Sequence, residues 1–431
     1  MLHDNVQINE QNHLTFAGVD TTVLAKKYGT PLMLLDTNKI RENINVYKTN
    51  IEKYFPKDST IFYASKALSI KEVYRIAKQE NIGIDVVSIG EIFTAKSVDF
   101  PLENTMFHGN NKTDFDIKFA IENGVGYFVA DNKEELLEIE KQAKVFGIKQ
   151  KVLLRITPGI DPHTNAKITT GQVDSKFGTA IETGQAFEIT KTALSLENVE
   201  LVGFHCHVGS QCFDSTSFID AVNIMLTFIR DVKVLFNHEI KILNLGGGYG
   251  VRYVENDPSI DIAKNLELVG HAVFNVSKQL GVNLPKIILE PGRSIVANAG
   301  MTLYEVGSFK TILEYKNYIS IDGGMTDNPR YALYGSNYTI INANNPNGRK
   351  DTVATIAGRC CESGDLIQEN VEIQTPKRGD YLAVLVTGAY NYSMASNYNK
   401  IPRPMVVGLE NQNEKVLVKR ESLEDLIKNE L

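Results

Sequence analysis

TIFYASKA (residues 60–67) opens with a short apolar run, 60–64, rich in β-branched and aromatic side chains, that stops at a serine and a lysine. Such a run reads as a buried strand with functional groups waiting where it ends. The pattern recurs at 83–87, 105–108, 127–130, 151–156, 201–207, 241–245 and 286–290. Between these runs lie stretches with helical spacing, clearest at 69–81, 132–147 and 215–237. Strands alternating with helices imply a parallel sheet with crossover connections. Eight of them over about 230 residues fit an α/β fold of the (β/α)8 barrel type.

Outside this region the pattern changes. TLYEVGSFKTI (302–312), NYISIDGG (317–324), TVATIAG (352–358), DYLAVLVTG (380–388) and EKVLVKRE (414–421) are β-rich, with few gaps long enough for a helix. They predict a C-terminal antiparallel β domain. Two short pieces near the start, VQIN (6–9) and LTFAG (14–18), are expected to pair with those distant strands. The run 31–36 reads as a further strand at the domain junction, followed by a helix over 38–55. The expected division is a barrel at 32–300 and a β domain made of 1–31 and 301–431.

Composition narrows the partners. The chain has 431 residues, 43% apolar and 23% charged, which are ordinary globular values. Its net charge is −7 and its charges are evenly mixed, which argues against nucleic acid or an anionic membrane as the main partner. No apolar window is long enough for a transmembrane helix, and the N-terminus MLHDNVQINEQNH lacks the apolar segment of a signal peptide. Four cysteines (206, 212, 360 and 361) without CxxC spacing predict reduced thiols in a cytoplasmic protein.

In a (β/α)8 barrel the chemistry sits at the C-terminal ends of the strands. Those ends here carry Ser65 and Lys66; Asp85, Ser88 and Glu91; His108 and Asn110; Arg155; His205, His207, Ser210 and Gln211; Gly246, Gly247 and Gly248; and Glu290, Gly292, Arg293 and Ser294. A lysine in that position either snorkels to solvent or, desolvated, forms a Schiff base with a carbonyl. The glycine run 246–248 is either a mobile turn or a place where backbone meets ligand. Loops after strands seven and eight often build a phosphate site, and Gly292 and Arg293 are expected to open a helix whose amides favour an anion. Glu290, ending a buried-looking strand, needs a partner: Arg293, another barrel arginine, or a pyridinium nitrogen. His207 is placed to stack on a flat cofactor, with Ser210 donating to its phosphate. The rival is a zinc site of His205 and His207, which share a face if both lie on the strand. No third ligand is evident, and no metal is expected. Lysine, phosphate cradle, acid and stacking ring together describe pyridoxal 5′-phosphate chemistry.

With these residues in view, the sequence resembles the diaminopimelate decarboxylase family over nearly its whole length. The matching stretches are FYASKA (62–67), IDVVSIGE (84–91), DSKFG (174–178), GFHCHVGSQ (203–211), NLGGGYG (244–250), EPGRSIVANAG (290–300), DNPRYALY (327–334), CESGD (361–365) and GAYNYSMASNYN (388–399). The resemblance implies an alanine-racemase-like barrel with a C-terminal β domain. It implies that Lys66 holds the cofactor, Glu290 pairs with the pyridine nitrogen and His207 stacks on the ring. Ser210, Gly248, Gly292, Arg293 and Tyr390 would surround the phosphate. Arg293, Arg330 and Tyr334 would bind the distal carboxylate of the substrate, Glu362 its distal ammonium, and Tyr390 would also reach the substrate. Cys361 would protonate the product carbanion. The CES loop would come from a partner subunit, making the active unit a homodimer.

Two departures stand out. Relatives often show GPxCES, whereas this chain has Gly358-Arg359-Cys360-Cys361-Glu362-Ser363; register with Glu362 favours Cys361 over Cys360 as the acid. DPHTNAKITTG (161–171) lacks a second histidine that many relatives carry. The implied activity is conversion of meso-diaminopimelate to L-lysine and CO2. The alternative on the same fold is a decarboxylase of ornithine, arginine or a related polyamine precursor, which needs no clamp for a distal carboxylate. A racemase or a non-catalytic pyridoxal phosphate carrier fits the CES acid or the second domain less well.

Overall fold

The structure is a computed structural model that describes residues 3–160 and 175–431. Residues 161–171 and Asp174 of the DSKFG stretch lie outside the described residues. Two compact units are present: one of Asn43–Gly250 and Ser259–Ser294, the other of Met1–Glu42, Val251–Pro258 and Ile295–Leu431.

The first unit is a closed ring of eight parallel strands: β1 (Thr60–Ala64), β2 (Gly83–Val86), β3 (Thr105–Phe107), β4 (Tyr127–Ala130), β5 (Gln150–Thr157), β6 (Val199–His205), β7 (Ile242–Asn244) and β8 (Lys286–Leu289). The ring closes where Ile288 of β8 pairs with Thr60 of β1. Each strand is buried on both faces, which is why it reads as an unbroken apolar run. Phe62, Met106, Val129, Leu153, Val202, Ile242 and Ile288 fill the interior, one from nearly every strand, so the barrel is packed and its chemistry is confined to the strand ends. Helices Lys71–Gln79, Ile89–Lys96, Asp114–Glu122 and Lys133–Phe146 follow the first four strands. Their starts are fixed by local side chains: Ser88 accepts from the Glu91 amide, Thr113 and Asp116 form a reciprocal capping box, and Asn132 accepts from the Glu135 amide.

The second unit is β-rich. Its sheet runs Leu366–Ile373, Thr352–Ala357, Lys316–Ile321, Gly300–Ile312, Leu32–Asp36, Met405–Glu410 and Asn413–Val418; Tyr381–Leu385 also pairs with Gly300–Ile312, and Ile340–Asn342 with Tyr381–Leu385. Most pairings are antiparallel, but Lys316–Ile321 runs parallel to Thr352–Ala357, and Leu32–Asp36 parallel to Met405–Glu410. The strand expected at the domain junction is thus an interior strand of this sheet, paired on both edges. Contacts place residues up to Glu42 with the β-rich unit, including 32–42, eleven residues that the expected division gives to the barrel.

The N-terminal pieces do not pair with the C-terminal strands as expected. Val6–Ile8, Leu14–Phe16 and Val19–Asp20 form their own antiparallel sheet. Turns of a few residues bring these strands together, so local closure needs far less chain ordering than distant pairing. One main-chain bond, from Leu14 N to Ala343 O at 2.9 Å, ties this small sheet to the rest of the unit.

Candidate active site

Glu290, the residue after β8, lies at the centre of the strand ends and is 6% exposed. Asn244 Nδ2 donates to Oε1 at 2.6 Å and His205 Nε2 donates to Oε2 at 3.2 Å. His108 Nε2 stands 2.8 Å from Oε1, though off the line of a hydrogen bond. Burial alone would raise the Glu290 carboxyl, but the two imidazoles outweigh it and hold it well below the usual range. His205 is driven the other way: burial lowers it to about 4 against the pull of Glu290, so at neutral pH it is an uncharged donor. The carboxylate is therefore bracketed by two imidazoles and an amide. Arg155, one of the barrel arginines, acts on Glu290 through its charge.

The glycine turn is built against this acid. A Cβ on Gly247 would sit 2.1 Å from the Glu290 carbonyl oxygen, so only glycine lets the two loops touch. Gly248 has φ +124, and its Cβ would meet the Gly209 carbonyl at 2.4 Å. The Gly247 amide donates to His207 Nδ1 at 3.2 Å, which fixes the ring and leaves its proton on Nε2. Burial first, then the charges of Lys66 and Arg155, hold His207 well below the usual imidazole range. His207 is thus a neutral ring, and because β6 ends at His205, the strand alternation assumed for a zinc pair stops there. The compact set of ligand-type atoms among the described residues is instead His108, His205 and Glu290, within 4.8 Å of one another. Within it His205 is hydrogen-bonded to Glu290, and His108 stands at ion-pair distance.

Arg293 is buried, and its Nη2 donates to Ser210 Oγ at 3.1 Å. The helix it opens spans only Arg293–Val296, too short for a useful macrodipole, so the guanidinium and hydroxyl, not helix amides, supply attraction for an anion here. Gly292 packs against Ala64, at the end of β1. Lys66 lies on the single turn Ser65–Ala67 just beyond, exposed at the barrel mouth, where its charge acts on Asp85, Glu91 and His207. Asp85 is 2% exposed, and burial keeps its carboxyl above the ordinary range. Glu91 is pushed up to about 7 by burial, against a 2.7 Å hydrogen bond from the Val87 amide. The structure thus brings Lys66, His207, Ser210, Gly248, Glu290, Gly292 and Arg293 to one end of one barrel.

The other predicted residues lie in the β-rich unit. Arg330 opens the short helix Arg330–Tyr334 and is 6% exposed. Its guanidinium donates to Tyr338 Oη and Ser336 Oγ, both at 3.2 Å, and lies 4.6 Å from the centre of the Tyr253 ring. Among the described residues, no carboxylate stands within ion-pair distance of it. Tyr390, at φ +59, is half-buried and within electrostatic reach of Arg330. Tyr334 is half-buried as well. Cys361 and Glu362 are exposed, on a turn in which the Cys361 amide donates to Asn399 Oδ1 at 2.7 Å. Cys360 is buried, its amide donates to Asp365 Oδ2 at 2.7 Å, and burial pushes its thiol up to about 11.

A family model described as pyridoxal-dependent decarboxylase, pyridoxal binding domain, matches residues 37–297. Diaminopimelate decarboxylase of Bacillus subtilis is 43% identical over 430 residues, covering 100% of this chain and 98% of that one. The Staphylococcus aureus enzyme of the same name is 41% identical, with 99% of each chain covered. The crystal structure of diaminopimelate decarboxylase from M. jannaschii in co-complex with L-lysine superposes with a TM-score of 0.91 at 35% identity, covering 100% of this chain and 99% of that one. This chain belongs to the diaminopimelate decarboxylase family.

Membership of the diaminopimelate decarboxylase family makes pyridoxal phosphate the cofactor, and the barrel end fits it. An ionised acid suits a protonated ring nitrogen, and the Arg293–Ser210 pair with the close-packed glycine turn suits a phosphate. The sequence marks Asp85, Glu91, His108 and Arg155 as strand-end groups without an assigned role and His205 only as a rival zinc ligand, and does not single out Asn244. Its signal was an asparagine two residues before a glycine run, the usual place for a side chain that caps a turn. Asn244 Oδ1 does accept from the Gly246 amide, at 2.9 Å.

Proposed function

We propose that the protein is a pyridoxal phosphate-dependent decarboxylase that converts meso-2,6-diaminopimelate to L-lysine and CO2, the last step of lysine biosynthesis. The observation that carries the substrate is Arg330: a buried guanidinium whose partners are hydroxyls and ring faces. A buried charge without a counterion is costly, and a ligand carboxylate would remove that cost. Diaminopimelate has a second carboxylate to offer, whereas ornithine and arginine have none. The full-length relatives point the same way.

When bound, the cofactor supplies an aldehyde that joins an amine covalently and a ring that accepts the electrons of the bond losing CO2. The chain's residues do the rest. Lys66 supplies the amine at the barrel mouth, and its nitrogen gives and takes the proton that exchange with a substrate amine requires. Glu290 keeps a proton on the ring nitrogen by charge pairing. The neutral His207 ring presents a flat face without adding positive charge. Ser210, Gly248, Gly292, Arg293 and Tyr390 hold the phosphate. Arg293, Arg330, Tyr334 and Tyr390 grip the substrate end remote from the bond that breaks, and Glu362 binds its distal ammonium. Fixing that far end would hold the scissile bond in one orientation, so remote binding becomes rate. Cys361 then delivers a proton to the carbon that lost CO2.

Cys361 and Glu362 are exposed on this chain, which suits residues donated to the active site of a second copy. The active form is thus a homodimer with shared sites. Among the described residues no helix is long and apolar enough to cross a membrane, and the working place is the cytoplasm. The test is direct. Purified protein supplied with pyridoxal phosphate should release CO2 and lysine from meso-diaminopimelate and leave ornithine and arginine untouched. Fully loaded protein that is inert towards diaminopimelate, or prefers ornithine, would overturn the assignment.

A further inference from the structure

The partners of Glu290 are of an unusual kind. A buried carboxylate is most simply satisfied by arginine or lysine, but here the hydrogen bonds come from groups without charge. Asn244, at the end of β7, is 0% exposed, and its amide orientation is forced: Oδ1 accepts from the Gly246 amide, so Nδ2 must face Glu290 Oε1. His205, at the end of β6, is 1% exposed; Nε2 meets Oε2, and Nδ1 is buried without a hydrogen-bond partner. Its ring also packs edge-on against His108, with centroids 4.9 Å apart. Asp85 of β2, Arg155 of β5 and Lys66 are the other charged groups that act on this region.

Cation and neutral donor do different things to a carboxylate. A guanidinium would orient it but also cancel its charge, leaving little to hold a proton on a neighbouring ring nitrogen. An amide and an uncharged imidazole orient it and favour its ionised form without adding a positive charge. Asn244 does a second thing: through Gly246 it joins the acid to the glycine turn, so one side chain spaces the ring-nitrogen end of the site from its phosphate end.

Building on the reading of Glu290 as the pyridine partner, we propose that Asn244 and His205 are positioning residues for the cofactor: neutral donors that aim the Glu290 carboxylate at the ring nitrogen and set its spacing from the phosphate turn. Neither touches the reacting atoms.

The test uses holoenzyme loaded with pyridoxal phosphate carrying the heavy nitrogen isotope in its ring, and reads the ring-nitrogen NMR shift beside kcat and KM. Glu290→Gln is the benchmark and should move the shift fully towards the unprotonated value. His205→Leu and Asn244→Leu should each move it part of the way and lower kcat by about 10- to 100-fold, the range typical when an orienting partner is removed, with KM little changed. His205→Gln, which keeps an N–H donor, should recover most of both. If a leucine variant does not fold, His205→Asn, which keeps an amide but falls short of Oε2, takes its place with the same expected shift. Variants that lose activity while the nitrogen keeps the parent shift would reduce Asn244 and His205 to structural roles and overturn the proposal. An unmoved shift in Glu290→Gln would instead remove the role of Glu290 itself.

Discussion

The barrel mouth and the β-rich unit hold their functional groups by different means. At the mouth, side chains hang from strands paired on both edges, and their neighbours over-determine them: Glu290 meets groups from three other strands, and Arg293 is tied to Ser210. In the β-rich unit only Arg330 is comparably fixed, in its cage of Tyr253, Ser336 and Tyr338. Cys361 and Glu362 ride an exposed turn. On the proposed reading, the chemistry common to any substrate of such a cofactor rests on the rigid ring, and the groups proposed to choose a substrate sit on one short helix and on loops, where sequence can change without disturbing the core.

The largest effect should come from the rigid side. Lys66→Ala removes the amine proposed to hold the cofactor and handle its proton. Its kcat should fall by at least about 10^3-fold, and the visible absorbance of lysine-bound cofactor should disappear. Visible absorbance in this variant that borohydride abolishes while fixing the cofactor covalently to the chain would move the role to another lysine.

The exposed turn offers a sharper cut, because its two adjacent thiols differ in surroundings. Cys361→Ala should slow turnover by about 10^2-fold with the cofactor still bound, as loss of a proton donor does. Cys360→Ala should leave kcat within about twofold and lower the melting temperature slightly, since its thiol is a buried packing group held from titrating at neutral pH. The reverse pattern would exchange their roles. Arg330→Lys should act mainly on binding. The fork that can meet a carboxylate with two bonds is lost, at about 2 kcal/mol or roughly 30-fold in kcat/KM, with kcat less affected. A variant whose KM for diaminopimelate is unchanged would place the distal carboxylate elsewhere.

The same contrast explains what the sequence could say. A parallel barrel strand is buried on both faces, so each appeared as an apolar run, and β1 and β4 match their runs residue for residue. Strand ends were harder. The run 201–207 continues past the last paired residue of β6, and that two-residue excess made His205 and His207 look like a pair on one face. Radial order was not legible either. Glu290 meets residues 85 and 46 positions away, and every strand end looks alike until the ring is closed. In the β-rich unit, Leu366–Ile373 (LIQENVEI) is half polar and escaped notice, as a strand with one solvated face can. Cys361 and Glu362 could be named only through family motifs, because nothing in an exposed turn distinguishes function from surface.

One buried group in each unit should also answer pH in opposite senses, an effect smaller than those above. In the barrel, His205 is lowered to about 4. From its unfolded value near 6.5 down to about 4, the unfolded chain binds a proton that the folded chain refuses, so this group's contribution to stability is lost as pH falls. In the β-rich unit, Asp327 is the first residue of the DNPR turn that carries Arg330, and it is pushed up to about 7 by burial. The Tyr304 hydroxyl donates to its Oδ2, and the Gly324 amide to Oδ1 at 3.0 Å. Between its unfolded value near 3.9 and about 7 the folded chain keeps a proton that the unfolded chain has released, so stability falls as pH rises through that window. Asp327→Asn keeps the acceptor for Gly324 and the shape of the turn, but has no charge to bury. Its unfolding midpoint in urea, compared with the parent at pH 5 and pH 8, should gain relative to the parent at the higher pH by roughly 2–4 kcal/mol. An equal offset at both values would mean that Asp327 is already ionised in the folded turn, and that the DNPR segment tolerates a buried anion beside the Tyr304 hydroxyl.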